Sequence, residues 1–511
     1  MKKILLILLI GTMLTGCGDW LDIRPKDLQY TDDFWKSKED VEAILASGYS
    51  DMRKNTRRLF AWGELRGASV FSNIVFQSNV GSFYDLQNFQ LTRGETETLC
   101  QWDGIYSVIG LANSVLKYAP EIPDIDKTYT HGAMLSHQTE AYFMRSLMYF
   151  YLVRNWREAP LVLEPYIDDS APFQIAKSSE ADIIAQIKKD IRTALGTGAA
   201  KEHYENENWN ADKGRVTKWA LYALMADVCL WNEDYDECIT YSDSLIYANA
   251  NWRPVFMTNS AQWFEMFDPG CSNESIFEIT WSATLAQTSG SPISFINRTE
   301  AASFKFTPLM TARLLAEDAE AMQLIGAPVR SMYGAYQPLV GTIESLSVPI
   351  YKYEGSSTPG IDRDVKSANF IIYRMADVML MKAEALAWKG GEDNWQQALD
   401  IVNQIRTRAN LSTIHINVNQ TNELTMISII LNERDMELAA EGKRWYDLLR
   451  FGKAKNYTYK SDFIEIIVEN NETINKSWLR SVLKNNWAWF LPISDSEIET
   501  NKLLEQNQYY R

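Results

Sequence analysis

The stretch "ERDMELAAEGKRWYDLLR", Glu433 to Arg450, decides how this chain is read. Glu433, Glu437 and Glu441 recur every four residues, a spacing that puts three carboxylates on one helical face. Leu431, Met436, Leu438, Ala439, Trp445, Tyr446, Leu448 and Leu449 supply the apolar side, and Gly442 allows a bend or a close backbone crossing. Carboxylates aligned in this way suit an acid/base site, and they suit equally an ionic framework that touches no substrate. Partly buried carboxylates held by Arg434, Lys443, Arg444 or Arg450 are costly to break singly, which is a sufficient reason for the pattern. No HExxH, GxSxG, Walker loop or GxGxxG leading into a helix accompanies it. The physics favours a structural ladder.

Helical periodicity extends outward from this stretch. "TEAYFMRSLMYFYLVRNW" (139–156) is apolar on most faces and reads as a buried helix. "EADIIAQIKKDIRTAL" (180–195) follows, with Ile183, Ile184, Ile187 and Ile191 on one side. Residues 214–249 form two helices around an acidic turn, Asn232 to Asp234, and Ala220, Ala223 and Ala226 let the pair approach closely. Residues 372–411 repeat the plan with Gly390-Gly391 as the turn. A helix, short turn and helix over about 34 residues is the tetratricopeptide scheme. The expected fold is mainly α, with helix pairs over 139–196, 214–249, 372–411 and 425–452 forming a scaffold. Residues 59–105 and 251–370 instead mix Gly, Ser, Asn, Pro and Thr with aromatics, and there "SIFEIT" (275–280) and "VPIYKY" (348–353) alternate as short strands do. Long irregular segments inside a compact protein are usually functional, so a site is expected in these insertions.

Composition narrows the function classes. The chain has 511 residues, enough for about three domains of ordinary size, and a globular balance of 46% hydrophobic and 23% charged residues. A net charge of -16 argues against a nucleic-acid surface, which needs clustered Lys and Arg. Four histidines, of which His131 and His137 stand six apart, give no zinc pattern. Cys100, Cys229, Cys238 and Cys271 show neither metal nor disulfide spacing, and Cys229 and Cys238 sit in apolar helical patterns as small hydrophobes. No cofactor and no metal is expected.

The N-terminus carries a targeting signal: Met1-Lys2-Lys3, the apolar run Ile4 to Ile10, then Leu14-Thr15-Gly16-Cys17. The last four residues match the lipobox of bacterial lipoproteins, a resemblance that implies removal of residues 1–16 and lipidation of Cys17. Acyl chains then supply the anchor at about 0.8 kcal/mol per buried methylene. Loss of Lys2 and Lys3 leaves 48 basic against 66 acidic residues, a mature charge of -18.

The same residues resemble a family. Glu433-Arg434, Glu437-Leu438, Glu441-Gly442, Arg444-Trp445 and Asp447-Leu448-Leu449-Arg450 look like the C-terminal signature of the SusD-like (RagB/SusD) lipoproteins of Bacteroidetes outer membranes. "CGDWLDIRPKD" after the lipobox, "QWDGIYSVIGLANSVL" (101–116), "YRMADVMLMKAEAL" and "LPISDSEIETNKLLEQNQYY" (491–510) resemble further family blocks, so the likeness spans essentially the whole chain. It departs at Arg157, at Pro328-Val329-Arg330 and at Asn507-Gln508-Tyr509-Tyr510. The resemblance implies a single SusD-like domain over 17–511, four tetratricopeptide-like units and a non-catalytic role. It also implies binding of glycan at the cell surface and delivery to a SusC-like TonB-dependent transporter in the outer membrane. Sugars need aromatic rings to stack on and polar groups to hydrogen-bond. Phe83, Tyr84 and Asn79 in the first insertion, Trp263 and Trp281 in the second, and Arg66 in "GELRGA" have that chemistry. A helical-repeat interaction lipoprotein that docks protein or peptide is the alternative.

Overall fold

The computed structural model describes residues 34–72, 81–94, 98–166, 174–205, 210–282, 285, 287, 289–296, 303–330, 349–356, 361–363, 367–471 and 475–511. The expected lipobox lies outside these residues. Most of the described chain is helical. Side-chain caps fix where several helices begin. Ser37 and Asp40 form a reciprocal capping box at α1 (Lys38–Lys54), Thr130 caps α4 (His131–Trp156), and Ser179 caps α5 (Glu180–Gly196). The Thr130 cap starts α4 eight residues before the apolar run that marks it in the sequence.

Helices pack largely with neighbours in the chain. α1 packs on α3 (Asp103–Tyr118), α3 on α4, and α4 on α5. The pair α6 (Lys218–Trp231) and α7 (Tyr235–Ile246) packs on α9 (Met375–Lys389) and thereby on α10 (Glu392–Arg408). Ala220, Ala223 and Ala226 are fully buried, as a close helix–helix contact requires. The α1–α3 packing was not legible in the periodicity, because α2 (Thr56–Glu64) and an irregular segment intervene.

The strands form small antiparallel pairs. β1 (Val70–Ser72) pairs with β3 (Phe304–Phe306), which leads into α8 (Pro308–Leu324), and β2 (Ser275–Ile279) pairs with β4 (Phe370–Arg374). "SIFEIT" is therefore a strand, whereas the described part of "VPIYKY" makes only one isolated bridge, Pro349 to Lys305. Residues 372–374, expected to open a helix, instead end β4, and α9 starts at Met375.

The glutamate ladder is a correction in geometry. α11 (Glu423–Glu437) stops at Glu437, so Glu441 is not on its face. A turn with Ala440 at φ 60° and Gly442 at φ 74° leads into α12 (Arg444–Tyr457). Gly442 serves both anticipated purposes: its left-handed φ favours glycine, and the backbone crosses α2 so closely that a Cβ on Gly63 would lie 2.0 Å from the Gly442 oxygen.

The turn nevertheless returns the Glu441 carboxylate to the cluster occupied by Glu437. Arg374, at the end of β4, donates from Nη1 to Glu437 Oε1 at 2.7 Å and to Glu274 Oε1 at 2.9 Å. Its Nε and Nη2 hold Glu441 at 2.8 and 2.9 Å. Arg408, the last residue of α10, reaches Glu437 at 2.5 Å and Glu274 at 3.0 Å. Arg330 binds Glu437 and Glu433, and Lys352 binds Glu441 at 2.8 Å. Four carboxylates (Glu274, Glu433, Glu437, Glu441) thus meet four cations (Arg330, Lys352, Arg374, Arg408), all buried. The partners expected from the local sequence serve other acids: Arg434 holds Asp447 and Asp377, Arg450 holds Glu384 and Asp447, and Arg444 faces Asp435.

Burial alone would raise the Glu437 carboxyl, but Arg408, Arg374 and Arg330 hold it far below its ordinary 4.5. A depressed acid contributes stability that is complete above its unfolded value and is lost as pH falls through the folded one. Glu437→Gln leaves buried guanidinium charge uncompensated, so it should destabilise the protein at neutral pH by about 3–5 kcal/mol. The deficit should shrink below about pH 4. Denaturant unfolding at neutral and acid pH checks both points.

Candidate functional site

Four of the six residues with sugar-binding chemistry (Arg66, Phe83, Trp263 and Trp281) are buried. Trp263 is 1% exposed, and its Nε1 faces Glu437 Oε1 at 3.5 Å. Phe83 packs edge-on against Phe304, with ring centroids 5.3 Å apart. Trp281 donates its ring N–H to the Ser289 carbonyl and its backbone N–H to Asn369 Oδ1. Arg66 donates to the Trp489 carbonyl at 2.8 Å and to Asn155 Oδ1 at 3.0 Å, and its guanidinium lies 4.3 Å from the centre of the Trp445 ring. These segments hold only short helices and strands, so large side chains anchor them by packing. Tyr84, on the short helix Gly81–Gln87, remains half-exposed. Asn79 lies outside the described residues.

Arg66 still borders a cleft. The chain turns sharply after α2 through Leu65–Gly67 and Ala68 at φ 63°, and then enters β1. The cleft beside this turn has a volume of about 130 Å³ and is lined by Arg66, Phe71, Gln87, Pro308, Asn470 and Asn471, among others. Gln87 Oε1 accepts from the Ser72 N–H at 2.8 Å, and Asn471 Nδ2 donates to Asn88 at 3.4 Å. Burial lowers the Arg66 pKa to about 10, which leaves it a cation at neutral pH. Its Nε has no hydrogen-bond partner among the described residues. One aromatic ring, amides and a cation with a spare donor give the cleft mixed polar and apolar chemistry on the scale of a single small ring. Ligand sites for larger molecules run to about 300–1,000 Å³.

Two larger depressions flank residues 255–259, and the sequence reading named neither. One, of about 500 Å³, is lined by Phe256, Thr258 and the polar face of α10; the other, of about 530 Å³, shares Phe256 and Thr258. A signal for the first was present. Asp400, Asn403, Gln404 and Thr407 recur at the helical period and form a polar stripe on α10.

Among the described residues, Cys229, Asp234 and Glu237 approach one another closely enough to hold an ion. The Lys188 ammonium already sits 2.7 Å from Asp234 and 2.5 Å from Glu237. Burial also drives the Cys229 thiol far above its ordinary range, which removes its thiolate as a ligand. All four described cysteines are buried, and none forms a disulfide among the described residues.

The comparisons with known proteins follow this architecture. A sequence profile described as "Starch-binding associating with outer membrane" matches residues 19–230, and the SusD family profile matches residues 332–510. The chain belongs to the SusD-like family. "SusD-like protein P38" of Formosa agariphila is 27% identical, with 88% of this chain and 91% of that protein covered. A structure described as a laminarin binding SusD-like protein aligns with a TM-score of 0.67 at 19% identity, over 93% of this chain and 100% of that one. Surface glycan-binding protein A from Bacteroides uniformis aligns with a TM-score of 0.70 at 18% identity, over 93% of this chain and 100% of its own. At these identities the structural likeness speaks to fold. No helix among the described residues is long and apolar enough to cross a membrane.

The family signature is tied to the end of α2 through Glu64, the residue before the cleft-lining Leu65. Glu64 Oε1 accepts from the backbone N–H of Gly442 at 2.7 Å and of Lys443 at 3.1 Å, while Oε2 is buried with no partner among the described residues. Burial raises its pKa to about 8 against those two hydrogen bonds, so the carboxyl is largely neutral at pH 7. A raised acid stabilises fully below its unfolded value of 4.5, and that contribution is lost as pH climbs to 8. Glu64→Gln keeps the acceptor and removes the titration. Thermal melts should therefore show the variant more stable than wild type near pH 9, with the difference shrinking to almost nothing below pH 4.5.

Proposed function

We propose that this SusD-like protein is a non-catalytic, surface-exposed glycan binder. Lipid on Cys17 tethers it to the outer membrane, and it delivers oligo- or polysaccharide to a SusC-like TonB-dependent transporter. The observation that carries the reading is the whole-length likeness to SusD-like proteins, among them one described as laminarin binding and one as a surface glycan-binding protein. The cleft beside Arg66 supports it, because Phe71 supplies an apolar ring and Gln87, Asn470 and Asn471 supply amides of the kind that read sugar hydroxyls. The ladder supports the absence of turnover. Glu437 and Glu441 are ionised and each bound to at least two cations, so neither is available as a proton donor.

The mature protein should be retarded in native gels containing the polysaccharide it recognises, with no reducing ends released from that polymer. Tyr84→Ala and Asn471→Ala should each weaken retardation by about three- to tenfold, the scale of one stacking or one hydrogen-bonding contact. Trp263→Ala should instead lower stability. Release of reducing ends would overturn the non-catalytic part. Binding of peptides without retardation by any polysaccharide would favour a protein-docking lipoprotein.

A further inference from the structure

We infer that the groove between α10 and residues 255–259 is a second oligosaccharide subsite, built for neutral sugar chains. This rests on the glycan-binding reading and goes beyond the cleft at Arg66, with which the groove shares no lining residue.

Size is the first argument. The α10 groove encloses about 500 Å³ and the depression next to it about 530 Å³, with Phe256 and Thr258 in the wall of both. The two depressions adjoin at those shared residues, whereas the cleft at Arg66 offers about 130 Å³. A chain of sugars fits the former, and the latter takes one ring at most.

Chemistry is the second. The groove's exposed groups, Thr258, Gln404, Thr407, Thr413 and His415, offer hydroxyl, amide and imidazole donors and acceptors. The side chains of Thr258 and Gln404 make no hydrogen bond to any described residue and remain open for a ligand. Asn403 is held by both of its amide atoms against the backbone of Ile414, at 3.1 and 2.7 Å. That pairing fixes the segment carrying Thr413 and His415 to α10, so the wall is built in advance of any ligand.

Charge is the third, and it selects the ligand class. Among the described residues Arg408 is the one Lys or Arg lining the α10 groove, and Glu274 and Glu437 neutralise it. The described lining therefore offers no free ammonium or guanidinium to a phosphate, sulfate or uronate, and Asp400 disfavours them further. Arg408 also backs the Phe256 ring, its guanidinium 4.6 Å from the ring centre, and its Nε is buried without a partner. An aromatic wall with uncharged hydrogen-bonding groups fits pyranose C–H faces and hydroxyls.

Hydrogen–deuterium exchange of the mature chain, with and without hexaoses of β-1,3-glucan, α-1,4-glucan, xylan and mannan, tests this. At least one hexaose should slow exchange in peptides covering 254–259 and 400–415. Gln404→Ala combined with Thr413→Ala, both exposed and outside the core, should weaken that hexaose about tenfold with an unchanged melting temperature. Protection confined to 65–88 and 467–471, or unchanged affinity in the double variant, would overturn the second subsite and leave glycan binding standing. Protection by no hexaose, together with no retardation by any polysaccharide, would overturn both.

Discussion

The structure turns on the guanidinium of Arg374. It sits at the end of β4, is fully buried, and donates to Glu437, Glu441 and Glu274, which come from α11, from the turn after α11 and from beside β2. An isolated buried charge would be prohibitive, and even a single buried pair roughly breaks even against its desolvation. Here four anions and four cations approach neutrality within one dry volume, and most of their hydrogen-bonding positions are filled. Specificity is what such a knot adds. Hydrophobic packing tolerates slippage between helices, whereas this cluster closes only when α10, α11, β4 and the stems at Arg330 and Lys352 are all in register.

The periodic parts of the fold were legible. An apolar run such as 139–156, or alanines at helical spacing on α6, announces a buried helix because local pattern and tertiary role coincide. The ladder was legible as structural and misread in shape. A four-residue spacing continues through Leu438–Gly442, but the left-handed residues Ala440 and Gly442 break the helix there. Its partners were invisible for a plainer reason. Arg330, Arg374 and Arg408 lie 107, 63 and 29 residues from Glu437, and one sequence carries no record of which distant charges meet.

The site was less legible than the scaffold. Aromatic residues in irregular segments suggest a stacking surface, yet Phe83, Trp263 and Trp281 serve as anchors for segments that hold only short helices and strands. The chemistry that stayed outside is quieter: Gln and Thr on α10 and along residues 255–259. Such residues look like ordinary solvated surface until the fold sets them opposite an aromatic wall.

The knot also ties remote positions of the chain together. Arg330 is staked to Glu433 and Glu437, and Lys352 to Glu441 and the Ala439 carbonyl, so two positions distant in sequence from α11 are held at its end. Each such tie closes a loop, and loop closure costs only about 0.6 kcal/mol more for each doubling of the loop's length. The frame therefore depends on which charges meet far more than on the length of chain between them, and the ions carry the inheritance of the fold.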